Sequence, residues 1–215
     1  MNRLSVFFSA VMAVMAGAAV AFGGTVFLAL ENKVIGAGLF TVGLFLVCEY
    51  GFHLFTGKVC SALRSGLRYA LDLPVIWLGN FVGAWLTARI ILLTRMASLS
   101  KKALALSNVK AGDSLVSLFF LGALCNVFIF IAVDGFNKFR DDIGRYLALF
   151  FGIMVFILCG FEHCVADMYY FSLAGALNGR TLLCLTAITA GNACGGILFC
   201  EAVNWRRTKS AQNSQ

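Results

Sequence analysis

Long apolar runs alternate with short polar interruptions from the first residues almost to the last. A membrane-crossing helix needs about 20 consecutive apolar residues. On that measure the pattern predicts six transmembrane helices, at about 4–30, 34–63, 73–93, 114–133, 144–176 and 181–204. The second and fifth runs, at about 30 residues each, exceed one crossing. Both are interrupted by polar residues: Glu49, His53, Thr56, Gly57 and Lys58 in one, Glu162, His163 and Asp167 in the other. Each reads as a broken helix, because irregular backbone at membrane depth persists only where it is buried in protein or lines a cavity. The alternative is a short polar loop between two surface helices, but each flanking half is short for a full span. Ionisable groups at that depth are costly and mark function by default.

The two halves echo each other. Gly79-Asn80-x-x-Gly83 lies in the third run and Gly191-Asn192-x-x-Gly195 in the sixth, each following a broken helix. Three spans plus three, with matching breaks, predict an inverted repeat, since three crossings reverse the second copy. The repeats cover about 4–93 and 114–204 of a single membrane domain, 1–205, followed by a cytoplasmic tail, 206–215, that reads as disordered. The glycine spacing also lets helices approach closely, and Asn80 and Asn192 are placed to hydrogen-bond loose backbone at the breaks.

Composition agrees with an all-α polytopic membrane protein. Of the 215 residues 60% are hydrophobic and only 13% charged, where a soluble domain carries about a quarter. Strand-type alternation is absent, which argues against a β-barrel. The net charge of +7 sits in loops between spans and forms no nucleic-acid footprint. With both termini cytoplasmic, nine Lys and Arg lie inside and seven outside. That weak bias, together with Arg206, Arg207 and Lys209, favours this orientation in a cell (inner) membrane. Eight cysteines fall mostly within the spans and read as small buried hydrophobes, so a metal site from Cys164 and His163 has little support. No cofactor is expected. The first run opens like a signal peptide, yet it is too long for one and reads as a retained span.

Two breaks near one midplane would bring Thr56 and His163 together. A helix beginning after the break favours an anion. The result is a polar point that donates a hydrogen bond to a small anion or shares a proton with it. At this point a family likeness emerges. Gly160-Phe161-Glu162-His163-Cys164-Val165-Ala166-Asp167-Met168 resembles the Gly-Phe-Glu-His-Ser-x-Ala-Asn-Met signature of the formate/nitrite transporter family. Leu54-Phe55-Thr56-Gly57, Leu124-Cys125-Asn126 and Gly191-Asn192-x-x-Gly195-Gly196 resemble its other motifs, in order along nearly the whole chain.

The resemblance implies an aquaporin-like six-helix fold and a homopentamer in the lipid bilayer, with one pore per protomer and His163 and Thr56 as its central polar pair. It implies that Phe40 and Leu44 form one hydrophobic constriction and that Phe156 contributes to the other. Lys110 and Asn126 match a basic vestibule residue and a polar residue, with Glu162 beside the central histidine. Two positions depart from the family pattern: Asp167 replaces Asn, and Lys58 follows Thr-Gly where a small or amide residue is usual. These two are expected to pair across the breaks and offset each other's burial. The chain begins almost at span one, so the amphipathic helix that gates some relatives is not expected, nor is pH gating by it. The expected function is a permease for formate, nitrite or hydrosulfide, not an enzyme. Alternatives left open are a neutral-solute channel of water or glycerol type, a membrane-embedded metalloenzyme built on Glu162, His163 and Asp167, and a subunit with no pore.

Overall fold

The computed structural model describes residues 3–212, and among them every regular element is helical. Four helices are long and apolar enough to cross a membrane: α1 (Arg3–Ala29, over its Phe7–Ala29 stretch), α5 (Leu67–Leu92), α7 (Leu115–Lys138) and α10 (Gly179–Gln212). The two anomalous runs are broken. The first divides into α2 (Lys33–Phe40), α3 (Val42–Glu49) and α4 (Phe55–Val59), the second into α8 (Asp142–Leu158) and α9 (Cys164–Leu173). Large apolar side chains such as Phe22, Leu78, Phe120 and Leu198 face outward, as expected where the surroundings are lipid or another subunit.

The same local chemistry makes both breaks. Gly51 and Gly160 take positive φ, 68° and 70°, a left-handed conformation that other residues adopt at a cost of about 1–2 kcal/mol. The next amide then reaches back past the turn: Phe52 N to Val47 O and Phe161 N to Phe156 O, each 2.9 Å. This closes the helix C-terminus and sends the chain on extended. The extended strands are tied to the neighbouring helices alike, His53 N to Met12 O (3.2 Å) and Glu162 N to Leu121 O (3.3 Å). Gly-Phe-His at 51–53 and Gly-Phe-Glu at 160–162 thus make the same turn and the same tie to a neighbouring helix.

The glycine motifs set the packing around the breaks. A Cβ on Gly83 would stand 1.9 Å from Val14 O, and one on Gly79 2.6 Å from the Ala13 Cβ, so α5 lies directly on the α1 backbone. In the second half, Cβ atoms on Gly191 and Gly195 would meet Phe119 O at 2.0 Å and Ala123 O at 2.1 Å, so α10 lies on α7 in the same way.

Three features differ from the sequence pattern. The cationic segment between spans three and four is not a loop: it holds a 3-10 turn (Arg95–Ser98) and α6 (Leu99–Gly112). Its apolar residues are too few for a span, yet Leu99, Ala103 and Ser107 are buried against the bundle. Helix α5 starts ahead of the expected boundary and runs through Pro74 in its interior. The expected disordered tail is helical to Gln212, because Arg207 makes a fork to Asp134 of α7 (3.0 and 2.6 Å), joined there by Lys138 (3.0 Å). Residues 213–215 of that tail lie outside the described residues.

Gly160→Ala is expected to lower stability by about 1–2 kcal/mol, because only its φ objects and no atom lies near the new Cβ. Gly83→Ala should be far worse, forcing α1 and α5 apart. Thermal unfolding of both variants in detergent checks the order.

Candidate functional site

The breaks expose helix ends that need partners, and buried asparagines supply them. Helix α4 is preceded by Leu54, which has no side-chain acceptor, so Asn80 of α5 serves instead. Its Oδ1 accepts from Phe55 N (2.8 Å), and its Nδ2 donates to Ala13 O (2.8 Å) and His53 O (2.9 Å). Asn192 of α10 repeats the arrangement, accepting from Cys164 N (2.9 Å) and donating to Gly122 O and Glu162 O, both at 2.8 Å. Both asparagines are fully buried. Asn126, expected as a polar pore residue, instead donates to Thr56 O (3.0 Å) and holds α4 by its backbone.

Across the two breaks, Thr56 Oγ1 and His163 Nε2 lie 2.9 Å apart, both buried. The histidine caps α9: its Nδ1 accepts from Ala166 N at 3.2 Å. An accepting Nδ1 bears no proton, so the neutral ring carries its hydrogen on Nε2 and donates it to Thr56 Oγ1. The threonine hydroxyl hydrogen makes no other hydrogen bond among the described residues. His53, the other histidine, lies at the repeat position of Glu162 and bonds Ser9 Oγ through Nδ1 (3.0 Å).

A cavity of about 200 Å³ opens beside this pair. Phe40, Phe156, His163, Lys110, Glu162 and Asp167 line it, with Leu106, Val109 and Tyr170 among their neighbours. The Phe156 ring stacks on the imidazole (centroids 5.9 Å, planes 24° apart), and Phe40 meets Phe156 edge to face at 6.2 Å. Phe40 and Phe156 therefore wall the same cavity and do not flank the polar pair from opposite ends. Leu44 is buried one turn further on, in α3, away from this cavity.

Helix α6 brings Lys110 to the break. Its ammonium pairs with Glu162 Oε2 and, at 2.9 Å, with Asp167 Oδ1. The three side chains are 12%, 9% and 1% exposed, so the triad is shielded from solvent. The expected Lys58–Asp167 pair does not form. Lys58 lines a different cavity of about 320 Å³ with Val47, Ser61, Tyr69 and Asn137, and makes no salt bridge among the described residues. Asp167 finds its cation on α6 because that helix covers the second break. Nothing in the apolar periodicity announced α6, whereas the shared Gly-Phe at the two breaks was visible in the chain. Glu162 and Asp167 are turned to Lys110 and His163 to Thr56 and Ala166, which is not the convergence a metal ion requires.

Several long apolar helices, two broken runs, a buried polar contact between them and an adjoining aromatic-walled cavity define a multi-pass membrane protein. Residues 2–206 match the sequence profile of the family described as Formate/nitrite transporter, and the chain belongs to that family. It is a family of transporters and channels, not of enzymes. The chain is similar to the nitrite transporter NirC of Escherichia coli (strain K12), with 29% identity over 94% of this chain and 84% of the relative. Its fold is that of a solved pentameric formate channel with formate bound (TM-score 0.84, 23% identity, 97% of this chain and 99% of the other). It is also similar to an FNT family ion channel, with a TM-score of 0.81 and 26% identity over 96% and 91% of the two chains.

Lys110→Met strands two buried carboxylates and is expected to cost about 3–5 kcal/mol of stability, part of it returned by adding Asp167→Asn. Lys58→Met and Asp167→Asn share no partner, so their effects should add within about 0.5 kcal/mol. Double-mutant unfolding cycles in detergent distinguish the two pairings.

Proposed function

We propose that the protein is a channel-like permease for small monovalent anions of weak acids, of the size of formate, nitrite and hydrosulfide. The observation that carries this reading is the Thr56–His163 contact (2.9 Å), which joins the two breaks beside an aromatic-walled cavity holding a lysine. Lys110 draws the anion in. The apolar walls oppose a bare charge, since burying an unpaired ion is costly. The Nε2–H of His163 and the hydroxyl of Thr56 supply hydrogen bonds, and the anion crosses as its neutral acid after taking up a proton in the cavity. Leu44, buried one turn beyond Phe40, forms the second constriction.

The architecture behind this reading is a six-span, aquaporin-like inverted 3+3 repeat with spans two and five broken. The equivalent hydrogen bonds of Asn80 and Asn192 support it. The protein acts as a homopentamer with one pore per protomer, in the inner membrane with both termini cytoplasmic. Support for the assembly and the substrate comes from the fold shared with a pentameric formate channel and the likeness to a nitrite transporter.

Flux into proteoliposomes carrying an internal pH dye tests the reading, with formate, nitrite and hydrosulfide offered in turn. At least one should enter faster than into empty liposomes. His163→Asn removes the hydrogen bond that Nε2–H gives the neutral acid, about 0.5–1.5 kcal/mol, so that flux should fall about two- to tenfold. Three anions indistinguishable from empty liposomes would end the proposal.

A further inference from the structure

The weak-acid reading needs a source for the proton, and His163 is poorly placed to be it. Its Nδ1 already accepts from Ala166 N (3.2 Å). A proton there would set one N–H against another and place a cation at the N-terminal end of α9, where the helix dipole is positive. The imidazole is thus a hydrogen-bond donor held in one tautomer.

The other ionisable groups on the cavity do not balance. Two carboxylates, Glu162 and Asp167, share the single ammonium of Lys110. With all three ionised, the place where an anion enters would be net negative, and a buried negative charge repels an anion strongly at low effective dielectric. Asp167 is also only half satisfied. Its Oδ1 meets Lys110 at 2.9 Å, while the buried Oδ2 has no hydrogen-bond partner among the described residues. The side chain is 1% exposed and lines the cavity that His163 lines. An unpaired buried carboxylate oxygen is expensive, whereas a protonated one facing an anion is a donor with an acceptor.

The geometry points to Asp167 as the proton donor of this permease. Glu162 and Asp167 hold one proton between them on Lys110, and Asp167 Oδ2 passes it to the anion in the cavity. The O–H bond at Oδ2 breaks, and a bond from that hydrogen to the anion forms. The negative charge moves from the anion to Asp167, whose Oδ1 lies 2.9 Å from the Lys110 ammonium, and the triad stays net negative until it is reprotonated. The neutral acid passes His163 and Thr56, and water at the mouth restores the proton, so one proton travels with each anion. The other titratable groups around Asp167 are Cys125 of α7, Cys164 and Tyr170 of α9, and Cys184 of α10. Thiols and phenols of this kind are neutral near pH 7, so only Lys110 and Glu162 bring charge to it.

This inference rests on the weak-acid permease reading, and its test separates the two. Formate flux and proton uptake are measured in proteoliposomes from pH 5.5 to 8.5 for wild type, Asp167→Asn and Asp167→Glu. The Asn variant is expected to lose about a hundredfold in flux near neutral pH, the usual scale for a missing general acid. It should also lose the decline of flux with rising pH expected of the wild type, and the Glu variant should restore both. Wild-type transport with an Asn variant of the same flux and pH profile would overturn the role of Asp167 while leaving the permease standing. A wild type that carries no formate, nitrite or hydrosulfide would instead remove the reading beneath it. Infrared difference spectra of the wild type on adding formate give an answer even if the Asn variant does not fold. A carboxylic-acid C=O band that shifts or diminishes supports the donor, and no such band sinks it.

Discussion

Everything at the centre of this molecule depends on how two interrupted helices keep their backbone hydrogen-bonded inside an apolar bundle. A helix end leaves several N–H and C=O groups without partners, and in hydrocarbon surroundings each unpaired group costs several kcal/mol. Asn80 and Asn192 resolve this at both breaks with three hydrogen bonds each, joining the first amide after the break, a carbonyl within it and a carbonyl of the neighbouring long helix. The close approach of α5 to α1 and of α10 to α7, which only glycine permits, puts the asparagines within reach. Packing and polar satisfaction are therefore one device, used twice.

Because the breaks are fixed, the side chains that follow them are aimed. Thr56 sits one residue into α4 and His163 immediately before α9, and their contact spans both halves of the chain. The imidazole is committed on one side to the α9 backbone, which leaves the Nε2 edge as its only working face. Stacking on Phe156, itself against Phe40, fixes the ring plane. A histidine so held turns its Nε2–H toward Thr56 beside the cavity.

Charge enters from a third direction. Helix α6 is neither a span nor part of a break, yet it carries the lysine that pairs with both carboxylates of the second break. The buried triad concentrates one positive and two negative groups on the wall of the cavity. Lys58 stands apart in a separate cavity, so the two departures from the family pattern do not compensate each other.

Much of the fold was written in the chain. Long apolar runs, two of them too long and interrupted by polar residues, gave the long helices and the breaks. The Gly-Asn-x-x-Gly motifs marked where α5 and α10 lie on α1 and α7, and the motif around His163 marked the second break. These features are local, and hydrocarbon surroundings punish any local exception, so the pattern is hard to misread. The ring of Phe40 against Phe156, the anchoring of the final helix by Arg207 and Asp134, and the partner of Asp167 were decided only by the tertiary structure. Lys110 and Glu162 stand 52 positions apart. Which lysine meets a buried carboxylate depends on which helix covers the break, and no periodicity along the sequence encodes that choice.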